Sequence, residues 1–187
     1  GIIALFLSYA AQAQSLKAVQ QIEGIPPKVA YRAIAHDGSG NLYVATSVDV
    51  FMIPSNNNRA QPMSVGDQIM DVDWSSDYGL ILLSKDGSIR FTATGKVLTV
   101  DAGTGATCMD VTKTMIWVGT NNGVSTVSIP QEKVVKQYTT ADGILASNEI
   151  TFIHTDPSGI RWIGSRAGVV RIDGKKWKLY EKEQAIT

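Results

Sequence analysis

Few side chains in this chain could do chemistry. Its 187 residues include two histidines, His36 and His154, and one cysteine, Cys108. Each histidine stands near an aspartate: His36 directly before Asp37, His154 two places before Asp156. A histidine–carboxylate pair could move a proton in acid–base catalysis. Both pairs, however, run into turn-forming stretches, Asp37-Gly38-Ser39-Gly40-Asn41 and Asp156-Pro157-Ser158-Gly159. The same arrangement twice predicts support of a turn, so no catalytic residue is assigned. The first stretch has some features of a calcium loop but lacks the distal Glu and full ligand spacing of an EF-hand. It is read as a hairpin turn, and no metal site is assigned. Cys108 lies in the alternation Ala106 to Val111 without His or Cys neighbours. That predicts a buried structural thiol. No nucleophile elbow, phosphate-binding loop or metal-spaced cluster appears. No cofactor is implied, and this segment is read as no enzyme.

The elements that position these residues must come from an ordinary folded composition. Hydrophobic residues make up 44% and charged residues 18%, with 17 basic against 17 acidic. That suffices for a sizeable core. No basic stripe is present, which excludes nucleic acid from the expected partners. Lys175, Lys176 and Lys178 around Trp177 read as a turn and a solvated strand face.

Residues 1–13 combine an apolar run with Ala11 and Ala13 in an Ala-x-Ala arrangement, placing a signal-peptidase cut before Gln14. The run is too short to span a bilayer comfortably. It is read as a signal-peptide remnant, the alternative being a buried N-terminal strand or helix. The mature segment is then exported, to the periplasm or beyond, and is not membrane-embedded. Residues 14–28 form a linker with Gly24, Pro26 and Pro27 as breakers.

From residue 29 a phrase returns four times. Aligned on the hydroxyl residue ending its central strand, the copies fall at Thr46, Ser84, Thr120 and Ser165. A period of about 40 residues with several short strands per unit predicts propeller blades. The blades are placed at 29–64, 65–101, 102–139 and 140–181. Each has four antiparallel strands and tight turns at positions such as Gly87, Gly123 and Gly168. The first unit has Asp49 in place of that glycine, and Asp tolerates the left-handed conformation. Gly119 and Gly164 sit inside strands, where glycine marks a close approach. Trp117 and Trp162 lie two residues earlier on the same faces. They are read as packing between blades while the glycines make room.

The fourth unit resembles the two-component regulator propeller repeat of bacterial exported sensors. Asp142, Gly143, Ile144, Ser147 and Asn148 match its lead-in. Asp156, Gly159, Trp162, Ile163, Gly164 and Ser165 match its core. Gly168, Val169, Arg171, Asp173 and Gly174 match its tail. The third unit matches at Trp117, Val118, Gly119, Thr120 and Gly123, and the first two match thinly. The resemblance implies an extracytoplasmic propeller, often the sensing half of a hybrid histidine kinase, with many members responding to glycans.

The fold expected is therefore all-β: four consecutive four-stranded antiparallel blades forming an open arc of a larger ring, with a fifth blade truncated at Thr187. A closed four-bladed propeller is the alternative. The function expected is an N-terminal fragment of an exported sensor that recognises a glycan or small molecule, the full-length protein being membrane-anchored. An exported binding or scaffold propeller without signalling is the alternative, and a propeller enzyme acting on polysaccharides ranks below both. Ligand would sit where loops converge at one end of the ring. Ser147 and Asn148 are the candidate loop contacts.

Overall fold

A computed structural model of the chain describes residues 22–181, except 102 and 104. The stretches read above as a signal peptide (1–13), as the first part of a linker and as the start of a fifth blade lie outside the described residues.

Among the described residues, sixteen strands fall into four sheets. The first blade holds β1 (Tyr31–His36), β2 (Leu42–Thr46), β3 (Val50–Ile53) and β4 (Gln61–Pro62). The second holds β5 (Ile69–Ser75), β6 (Gly79–Ser84), β7 (Ser88–Phe91) and β8 (Val97–Thr99). The third holds β9 (Ala106–Val111), β10 (Met115–Thr120), β11 (Gly123–Ser128) and β12 (Lys133–Tyr138). The fourth holds β13 (Ile150–Thr155), β14 (Arg161–Ser165), β15 (Gly168–Asp173) and β16 (Lys176–Glu181). Within each sheet the strands pair antiparallel in sequence order. A 3-10 turn, Thr140–Asp142, precedes the fourth blade.

The repeated hydroxyl has a physical task. It closes the turn between the second and third strands. Thr46 Oγ1 donates to the Asp49 carbonyl at 2.8 Å, Thr120 Oγ1 to Gly123 at 3.0 Å, and Ser165 Oγ to Gly168 at 3.0 Å. In the second blade a backbone bond does the same, the Gly87 N–H donating to the Ser84 carbonyl at 3.0 Å.

The turns after the histidines are organised by carboxylates. Asp37 Oδ1 accepts from the Ser39 and Asn41 N–H groups at 2.8 and 2.9 Å. Asp156 Oδ1 accepts from the Ser158 and Ile160 N–H groups at 2.9 and 3.0 Å. Side-chain donation from Asn41 to Asp37, and from Ser158 to Asp156, holds both carboxyls below the ordinary value.

The core lies in the seams between blades. Tyr43, Ala45 and Val50 meet Ile69, Val72 and Leu80 in the first seam. Ile81, Leu83 and Phe91 meet Met109, Ile116 and Val127 in the second. Cys108 and Val124 meet Ile150, Ile163 and Val170 in the third. A blade between two neighbours buries both faces, which is why Leu80 to Leu83 are apolar without alternation. Inner strand packs on inner strand along the series: β1 on β5, β5 on β9, β9 on β13. No comparable packing joins β1 to β13 among the described residues. Ile34 on β1 stays 64% exposed and Phe152 on β13 stays 43% exposed. The four blades therefore form an open arc, and the closed four-bladed alternative is not adopted.

Candidate functional site

An antiparallel meander sends alternate connections to opposite ends of a blade. The His36-Asp37 and His154-Asp156 turns share one end. The lead-ins to the first strands and the hydroxyl-closed turns share the other. Ser147 and Asn148 belong to this second end.

There, both side chains engage the chain's own backbone. Asn148 Oδ1 accepts from the Thr140 N–H at 2.8 Å, and the Asn148 carbonyl accepts from the Gly123 N–H at 2.9 Å. Ser147 Oγ accepts from the Glu149 N–H at 3.1 Å. Asn148 thus ties the lead-in of the fourth blade to the hydroxyl-closed turn of the third. Gly123 has φ 102°, and a Cβ there would overlap the Tyr138 carbonyl. A Cβ on Gly168 would overlap the Tyr180 carbonyl, and one on Gly164 the Phe152 ring. A Cβ on Gly119 would stand 2.6 Å from both Cys108 Sγ and Ile150 Cγ2. Trp117 stacks on Tyr138 with centroids 5.7 Å apart and carries the Arg161 guanidinium at 4.3 Å. Trp162 is half-buried on the opposite face of β14 from Arg161 and Ile163.

The same end carries a hollow of about 210 Å3 beside the second blade, lined by Val65, Asp67, Gln68, Ser84, Asp86 and Arg90 among others. Two charged side chains of the first blade shape its wall. Asp49 accepts from the Ser64 and Val65 N–H groups, each at 2.9 Å. Arg32 donates to the Asp67 and Ile69 carbonyls at 2.5 and 2.7 Å. This corrects the reading of Asp49 as a left-handed stand-in for glycine. Among the described residues the non-glycine positive φ angles belong to Lys28, Ser64 and Glu132. Asp49 is an acceptor that pins the loop to the next blade. The hollow had no sequence signal beyond the Asp itself.

Carboxylates also gather along the inner strands, at Asp71, Asp73 and Asp110, which carry no motif in the sequence. Asp71 Oδ2 accepts from the Met109 N–H at 2.7 Å and Asp73 Oδ2 from the Val111 N–H at 3.1 Å. Asp110 takes the Thr155 N–H at 2.8 Å, its hydroxyl at 2.6 Å and Arg161 Nε at 3.2 Å. Burial, helped by the Asp73 and Asp110 charges, pushes the Asp71 carboxyl up to about 6. Burial also raises Asp73, against the Trp74 and Val111 N–H groups that donate to it. These acids are fasteners between blades: their oxygens are engaged by backbone and side-chain donors. Among the described residues, no group of three or more His, Cys, Asp or Glu is placed to hold a metal ion. Cys108 is buried, and burial pushes its thiol up to about 12, so it stays protonated at neutral pH.

No family model matches the chain, and no curated protein matches it. Solved structures do. The extracellular domain of a hybrid two-component system from B. thetaiotaomicron superposes with a TM-score of 0.68 at 15% identity, over 86% of this chain and 22% of that one. The four-sheet arc is a β-propeller fold. Virginiamycin B lyase from Staphylococcus aureus gives a TM-score of 0.67 at 14% identity, over 89% of this chain and 60% of that one. A computationally designed protein gives 0.59 at 12%, over 87% and 97%. This chain therefore spans about a fifth of the two-component domain's length. A signalling protein's extracellular domain, a lyase and a designed protein share this propeller architecture, so function must be argued from the site. Among the described residues no helix is long and apolar enough to cross a membrane.

Proposed function

We propose that this chain is part of an exported recognition propeller, the ligand-sensing portion of a two-component signalling protein. One coincidence carries the reading. The repeat whose residues resemble the two-component regulator propeller folds into blades like those of a two-component extracellular domain, over 86% of this chain. The arc is part of a larger ring, and residues 1–13 are the export signal. The ligand is a glycan or a small molecule, bound where the lead-in loops converge. The hollow beside the second blade and the loop around Ser147 and Asn148 lie at that end.

The engagement of Asp71, Asp73 and Asp110 in bonds between blades weighs against polysaccharide cleavage, which needs carboxylates free to meet a substrate. The reading is tested on the complete exported protein by thermal shift against a glycan array and a small-molecule set. A melting-temperature rise confined to one ligand class is expected, with ligand-dependent phosphorylation of the signalling partner. A response without phosphorylation would favour a binding propeller that does not signal. Silence across the panel would remove the sensor reading altogether.

A further inference from the structure

Three blades close the turn between their second and third strands with a hydroxyl, and the second blade does not. Thr46 Oγ1, Thr120 Oγ1 and Ser165 Oγ each donate to the carbonyl three residues on. In the second blade the Gly87 N–H closes the turn, and the Ser84 hydroxyl has no protein partner among the described residues. The register shows why. Gly119 pairs with Val124 and Gly164 with Val169, whereas Leu83 pairs with Ile89. The second turn is one residue longer, and its released serine lines the hollow of about 210 Å3.

Arg90 is a second departure from the repeat at the same place. It stands in register with Phe51, Ser125 and Val170, all of them buried. Arg90 is exposed and lines the hollow instead. Asp67 and Asp86 line it too, yet among the described residues Arg90 forms no ion pair with either. Positions where a chain breaks its own repeat are where function is expected.

The charges are held in place. Asp86 Oδ1 accepts from the Ser88 N–H at 2.9 Å, and that bond keeps its carboxyl below the ordinary value and negative at neutral pH. Gln68 Nε2 donates to Asp67 Oδ1 at 3.2 Å. Arg32 and Asp49 fix the backbone of residues 64–69 behind them. A wall set before the ligand arrives lowers the cost of binding.

One guanidinium and two carboxylates that do not neutralise one another suit a molecule carrying both charges. The hollow is smaller than the roughly 300–1,000 Å3 of sites for drug-sized ligands. The residues lining it include no aromatic ring on which a sugar could lie. We propose that this hollow binds a free α-amino acid with a small aliphatic side chain. Arg90 takes the carboxylate in a two-bond fork. Asp67 and Asp86 take the ammonium, the Ser84 hydroxyl adds a further bond, and Val65 faces the side chain. This inference rests on the recognition reading above and narrows its ligand to a zwitterion.

The test titrates the complete exported protein with L-alanine and L-valine by calorimetry, beside propionate and ethylamine, which keep one charge each. The amino acids are expected to bind, with each half-ligand at least about tenfold weaker. Arg90→Gln, and separately Asp67→Asn with Asp86→Asn, are each expected to weaken the amino acid at least about tenfold. All three side chains are exposed, so the melting temperature of the free protein should hold. Amino-acid binding that survives Arg90→Gln unchanged overturns the proposal. If amino acids give no heat while a glycan raises the melting temperature equally with and without Arg90→Gln, the assignment of the hollow falls and the recognition reading stands. Silence to amino acids and glycans alike removes both.

Discussion

The Asp110 carboxylate of the third blade meets the Arg161 guanidinium of the fourth at 3.2 Å, with the two side chains only 11% and 14% exposed. Asp110 also receives both donors of Thr155, and Arg161 lies over Trp117. Removing one partner of such a pair leaves a buried charge uncompensated, at about 3–5 kcal/mol. Asp110→Ala is therefore expected to destabilise the chain by about 3 kcal/mol in urea unfolding. A loss below about 0.5 kcal/mol, the range of ordinary surface substitutions, would show that this seam is held by its apolar core alone.

Asp71 makes the seam between the second and third blades sensitive to pH. Its carboxyl is raised from 3.8 to about 6, so the folded chain holds the proton more tightly than the unfolded chain. The stability this contributes is fully present below about pH 4 and is lost as pH rises through about 6. The amount is about 3 kcal/mol at most, from the size of the shift. Asp73 is raised by burial in the same direction, so it adds to the same loss as pH rises. Asp37 and Asp156 oppose them only at lower pH, since their carboxyls are lowered and their contribution fades as pH falls below 3.8. Asp71→Asn keeps an oxygen for the Met109 N–H and removes the titration. It is expected to flatten the fall in stability between pH 4 and 7. An unchanged slope in denaturant midpoints across that range would sink the assignment to Asp71.

Local chemistry was legible in the sequence, and long-range chemistry was not. The hydroxyls at Thr46, Thr120 and Ser165 bond a carbonyl three residues on, so their role repeats with the blade and shows as a motif. Asp37 and Asp156 likewise serve turns within four residues. Asp71 and Asp73 serve amides 38 residues away, and Asp110 serves Thr155 at a separation of 45. A backbone amide carries no side-chain signature, so nothing in the sequence marks it as a partner. The hollow beside the second blade was hidden for the same reason: Arg32 shapes it by donating to carbonyls 35 and 37 residues on.

Gly119 is expected to be among the least replaceable glycines. Its backbone is ordinary strand, so the constraint is space. A Cβ would stand 2.6 Å from Cys108 Sγ and from Ile150 Cγ2, one from its own blade and one from the next. Overpacking of this kind costs about 1–3 kcal/mol. Gly119→Ala should lower the unfolding free energy by that amount. Gly38→Ala is the control: it meets nothing within 4 Å, and its φ is not in the left-handed range. A control loss as large as that at Gly119 would mean that seam packing is not the cause.

Asp49 separates two accounts of one position. If the residue merely replaces the glycine found at this turn in the other blades, Asp49→Gly should be neutral or slightly stabilising. The structure gives it another task. Its carboxylate accepts from the Val50, Ser64 and Val65 N–H groups, each at 2.9 Å, and so holds the loop that walls the hollow. Charge-assisted bonds of this type contribute about 1.5–3 kcal/mol each when both groups are well placed. The loop is partly exposed, so a total loss of about 1–2 kcal/mol is expected for Asp49→Gly. The decisive readout is local: amide exchange at Ser64 and Val65 should accelerate at least tenfold while the amides of β6 keep their protection. Unchanged exchange at those two amides would return Asp49 to the role of a simple turn residue, and the hollow would lose its fixed wall.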